Sequence, residues 1–124
     1  MIYIDYNANP MHRKVGDCTV RAISKALKQS WEHTYTELAV QGLLMYDMPS
    51  SNAVWGAYLK SKGFVKKAIN KDRLYTIIDF CKDNPQGVYI VGTGTHTVCV
   101  EDGKYYDTWD CGNKAVYGYW SKLN

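Results

Sequence analysis

The chain has 124 residues, a net charge of +3 and 46% apolar residues, with eleven Tyr and four Trp. That length suffices for one domain, residues 1–124, with its own core, and the composition excludes a disordered or low-complexity chain. The basic residues are spread along the sequence instead of gathered in a stripe, so no nucleic-acid partner is expected. No apolar run is long enough to span a membrane, and the start, with Asp5 and no apolar core, does not read as a signal peptide. A cytoplasmic location is the expectation, and with it four reduced cysteines, Cys18, Cys81, Cys99 and Cys111. No Cys-x-x-C pair is present, so neither a structural zinc site nor any cofactor is expected.

Ile2, Ile4 and Tyr6 alternate with polar residues, which predicts a short strand or extended arm. A loop follows from Asn7 to Gly16, with a turn at Asn9-Pro10. A first helix is predicted from about Asp17, its N-cap, through Val20, Ile23, Ala26 and Leu27. A second covers Trp31 to Met45, with an apolar stripe of Trp31, Tyr35, Leu38, Leu43 and Leu44. A third runs from Ser51 or Asn52 to Lys62 and stops at Gly63. Phe64-Val65 is a candidate strand. A fourth helix is predicted over Asp72–Asp83, ending before Pro85. Lys66-Lys67 and Lys71–Arg73 read as a solvated helix end.

The pattern then changes to strands. Gly87–Val91 and Thr95–Glu101 are apolar runs, Asp102-Gly103 is a two-residue hairpin signal, and Lys104–Thr108 is its second arm. Val116–Trp120 closes the chain as a last strand. Helices in the first two-thirds and an antiparallel meander in the last third define an α+β class. Trp109, Tyr117, Tyr119 and Trp120 are expected mainly in the core of the meander, with a substrate groove as the lesser role.

Three residues carry a coherent chemistry. Cys18 falls where a loop turns into a helix, and a thiol there feels free backbone N–H groups and the positive end of the helix dipole. His96 follows Gly92-Thr93-Gly94-Thr95, at the start of a strand, where a neutral imidazole can accept and return a proton. Asp107 sits beyond the hairpin turn. A turn centred on Asp102-Gly103 pairs residues whose numbers sum to about 205, which places Asp107 on the face of His96, one diagonal away. Asp110 is a rival orienter of opposite parity, and Cys99 faces away from His96. Cysteine, histidine and aspartate in that order suit acyl transfer through a thiol.

On these motifs the chain resembles the papain-like cysteine peptidase superfamily, and most of all the small peptidase domains with which bacteriocin exporters cleave double-glycine leaders. Asp17-Cys18 opening a helix, His96-Thr97-Val98-Cys99-Val100 and Asp102-Gly103-Lys104-Tyr105-Tyr106-Asp107 are similar to that family's three segments. The resemblance implies a papain-like fold, an N-terminal helical part packed on a C-terminal antiparallel sheet. It implies a thiol hydrolase acting on a peptide or protein substrate through Cys18, His96 and Asp107. The family places a glutamine six residues before the cysteine as oxyanion donor. That position is His12 here, and of the nearby amides Asn9 is the candidate replacement. Thr19 and Thr108 stand where the family has Gly and Pro. This departure leaves a second reading open, a catalytically inactive protein of the same fold that sequesters a partner or small ligand.

Overall fold

The computed structural model describes residues 2–71 and 73–122. Ten elements follow one another: β1 (Tyr3–Asp5), α1 (Cys18–Leu27), α2 (Trp31–Met45), α3 (Asn52–Ser61), β2 (Phe64–Ala68), α4 (Ile77–Asp83), β3 (Val88–Gly92), β4 (Thr97–Glu101), β5 (Lys104–Asp107) and β6 (Gly118–Lys122). The class is α+β. No helix among the described residues is long and apolar enough to cross a membrane.

The six strands form one sheet in the order β1-β5-β4-β3-β6-β2. β3, β4 and β5 are the expected meander, and Cys99↔Tyr106, Val100↔Tyr105 and Glu101↔Lys104 all sum to 205. Asp102 and Gly103 both have positive φ, 51° and 76°, the geometry a two-residue hairpin requires. Two features correct the expected antiparallel sheet. β1 joins the edge parallel to β5, and β6 does not follow β5 but returns across the sheet to lie between β3 and β2. The sheet is therefore mixed, and its N-terminal strand buttresses the strand that carries Asp107.

Both faces of the sheet are covered. Ile90, Cys99 and Trp120 face α1–α3 and pack with Ile23, Leu38, Trp55 and Leu59. Val91, Val98, Val100 and Tyr105 face the other way and pack with Ile77 and Phe80 of α4. This two-sided burial explains why Thr97-Val98-Cys99-Val100 is buried at every position and reads as a continuous apolar run.

Three helix expectations change. α4 begins only at Ile77, where Thr76 and Asp79 form a capping box; Asp72 lies outside the described residues. On α2 the buried positions are Thr34, Leu38 and Gly42, whereas Tyr35, Leu43 and Leu44 of the anticipated stripe face solvent. Ser30 nevertheless caps that helix, its hydroxyl accepting from the His33 amide at 3.0 Å. Lys66 and Lys67 belong to strand β2 and not to a helix end.

Candidate functional site

Cys18 is the first residue of α1, and Asp17 occupies the N-cap position without capping. Its carboxylate is committed elsewhere: Oδ1 accepts from Arg21 Nη1 and Oδ2 from Trp31 Nε1 at 2.9 Å. The first-turn amides of a helix have no intrahelical partner, and here no side chain claims them. The result is a half-buried thiol among uncapped N–H groups at the positive end of a helix that lies across β4.

His96 ends the four-residue connection between β3 and β4. The Thr93 amide donates to the His96 carbonyl at 2.9 Å, and Gly94 takes the positive φ of 92° that the tight loop needs. The imidazole Nε2 lies 2.5 Å from Asp107 Oδ2. On its flank the ring meets Trp109, with centroids 4.9 Å apart.

Asp107 closes β5 and is 2% exposed. Both of its oxygens are engaged. Oδ1 accepts from Arg21 Nη2 at 3.0 Å and from the Thr108 amide at 2.7 Å. Oδ2 faces His96 and also accepts from the Cys111 thiol at 3.2 Å. Arg21, one turn after Cys18, thus ties the start of α1 to the carboxylate beside the histidine.

The electrostatics follow from these contacts. Burial alone raises the Cys18 thiol, but the His96 imidazole and the Thr97 backbone more than offset it, so the thiol is lowered from its ordinary value. Burial disfavours the charged form of His96, yet Asp107, Cys111 and Cys18 together push it up to about 11. Burial raises Asp107, and the histidine overrides it, holding the carboxyl below its ordinary range. The other three thiols are buried, and burial raises each of them, Cys81 and Cys99 to about 12. One thiol of four is therefore disposed toward thiolate, beside an imidazolium.

The remaining sequence candidates are placed otherwise. Asn9 is buried, and its Oδ1 accepts from the Met11 amide at 2.9 Å in a local turn. It is not among the residues lining the cleft that contains Cys18 and His96. His12 is exposed with a φ of 54°. Asp110 accepts from the Tyr105 hydroxyl and the Gly112 amide, away from His96. Trp120 is both core and cleft wall, exposed Tyr117 lines the cleft, and Tyr119 packs on Phe80 at 5.0 Å.

Sequence reasoning overlooked Arg21 and Cys111. The four-residue spacing from Asp17 to Arg21 on a helix was a usable signal for half of the network. Cys111 had none, because it reaches Asp107 through a loop. Cys111 also changes what the site can hold. One donor atom each of His96, Asp107 and Cys111 lies within 4.8 Å of the others. An imidazole, a carboxylate and a thiol are a donor set that a zinc-like cation accepts.

A comparison with known protein families, with curated proteins and with solved structures finds no match to this chain. The chemistry is therefore read from the geometry. A thiol lowered from its ordinary value, an imidazole held by a buried carboxylate, and free helix amides meet at one cleft of about 350 Å³. Such a group can attack a carbonyl carbon, stabilise the developing oxyanion and protonate a leaving amine.

Proposed function

We propose that this protein is a cysteine hydrolase of the papain-like type, cutting a peptide, isopeptide or related amide bond in the cytoplasm. The observation that carries the reading is the His96–Asp107 contact of 2.5 Å beside the uncapped start of the helix that bears Cys18. Cys18 Sγ attacks the carbonyl carbon, and the first-turn amides of α1, its own included, receive the oxyanion. His96, protonated at rest, gives its proton to the leaving amine, and the acyl group remains on sulfur as a thioester. The now neutral ring then takes a proton from water, whose oxygen attacks the thioester and releases the acid and the thiolate. Asp107 does not exchange protons; it fixes the ring and stabilises its charged form.

Selective alkylation tests this. Iodoacetamide near neutral pH is expected to modify Cys18 in the native protein and leave Cys81, Cys99 and Cys111 unmodified. His96→Ala should slow that reaction by about tenfold or more, since the thiol loses the neighbour that lowers it. Modification of all four thiols only after denaturation would rule the reading out.

A second reading, an inactive protein of the same fold that binds a partner or ligand, is favoured by one observation. Asn9, the candidate side-chain donor to the oxyanion, is anchored in a turn through its Oδ1 and does not line the cleft. A Cys18→Ala variant that keeps its full biological effect would select this alternative.

A further inference from the structure

The walls of the cleft bear on what it accepts. Besides Cys18 and His96 they include Trp55, Trp120, Tyr117 and Lys66, and no aspartate or glutamate is among the lining residues. Lys66 lies opposite Trp120 in the β2–β6 register, so both side chains leave the sheet on the face covered by α1–α3. Its Cε passes 3.8 Å from the point where a side chain at Gly118 would begin. Gly118 pairs in turn with Gly92 of β3. A side chain at Gly92 would meet only the Gly118 carbonyl, at 3.8 Å. Two facing glycines thus leave the floor of the cleft as bare backbone, and the lysine stem lies along it. Among the described residues Lys66 makes no ion pair.

We propose that Lys66 sets the substrate class of this cleft, selecting an acyl group that carries a carboxylate close to the bond attacked by Cys18. The proposal rests on the hydrolase reading, because it takes Cys18 as the nucleophile. A cation with no internal counter-ion, on the rim of a cleft walled by two tryptophans, attracts an anion in preference to a neutral ligand. Lys67 is the internal contrast: it is the next residue on the same strand, exposed like Lys66, but its side chain leaves the opposite face.

Paired alkylating agents read this without knowledge of the substrate. Iodoacetate and iodoacetamide both lose iodide to the thiolate, and they differ in a carboxylate against an amide next to the reacting carbon. The ratio of their rates at Cys18 is measured in the wild type, Lys66→Met, Lys66→Glu and Lys67→Glu. The ratio is expected to fall about twofold in Lys66→Met and roughly fivefold in Lys66→Glu at low salt, the size of a through-water interaction between unit charges at close range. Lys67→Glu should leave it within experimental error, and molar salt should compress the differences. A ratio unchanged by both Lys66 substitutions, or moved equally by Lys67→Glu, overturns the proposal while leaving Cys18 a reactive thiolate. Failure of both reagents to modify native Cys18 overturns the proposal together with the hydrolase reading.

Discussion

Arg21 bridges two buried carboxylates that the chain separates by 90 positions, Asp17 and Asp107, and is itself only 6% exposed. Its Nε is buried without a partner, so the guanidinium is held for its charge and its two Nη contacts. Removing one member of a buried ionic group leaves the others uncompensated in low dielectric. Arg21→Met should therefore destabilise the fold by about 3–5 kcal/mol in urea unfolding, although the replacement is apolar and of comparable length. A loss below about 1 kcal/mol would mean that Asp17 and Asp107 do not depend on it. At this scale the sequence exposed Cys18, His96 and Asp107, because each sits beside a local signal: a helix start, a glycine-rich turn and a hairpin. Arg21 and Cys111 act through neighbours remote in sequence or reached by a loop, and composition and periodicity carry no trace of such contacts.

Among the elements, β4 and β5 were legible down to their register, since Asp102-Gly103 imposes positive φ at two successive residues and leaves one alignment. α2 shows the opposite case. Its bounds, Trp31 to Met45, follow from local propensity, but its buried face does not. Leu38 is 1% exposed and Leu43 is 72% exposed, although both lie on one apolar-rich helix. Gly42 turns inward instead, where a Cβ would come within 2.7 Å of the Asp47 carbonyl. Leu38→Ala should cost about 2–5 kcal/mol and Leu43→Ala no more than about 0.5 kcal/mol, measured by thermal or urea unfolding. Equal losses at the two positions would show that the helix packs on another face. A hydrophobic stripe specifies an amphipathic helix only when its apolar residues keep to one side, and in α2 they do not.

For the molecule as a whole, the site is a source of pH-dependent stability. His96 is raised to about 11 from an ordinary value of 6.5, so its contribution is complete below about pH 6.5 and is lost as pH rises through 11. Asp107 is lowered, so its contribution is present above the ordinary carboxylate range and disappears as pH falls below it. Together the two favour a maximum in mildly acidic solution and a decline on the alkaline side. Cys18, lowered, gives up its proton where His96 keeps its own, and Cys81, Cys99 and Cys111, raised, add a decline above the ordinary thiol range. In a Cys18→Ala background, urea midpoints should therefore fall between about pH 7 and 8.5, and that fall should flatten when His96→Asn is added, which has no such proton to lose. An alkaline slope that persists unchanged in the variant would place its origin elsewhere.

Chain order by itself determined the class of the fold, the identity and limits of α2 and the β4–β5 hairpin, and it singled out the three residues proposed for the site. Each of these is governed by interactions within one turn of helix or one pair of strands, where backbone dihedrals and neighbouring side chains decide. Only the tertiary structure decided the parallel pairing of β1 with β5, the return of β6 between β3 and β2, the fate of Asn9 and the bridge through Arg21. These depend on segments brought together from opposite ends of the chain. The energy of such contacts comes from burial shared with distant partners, and no local pattern records which partner a residue will meet.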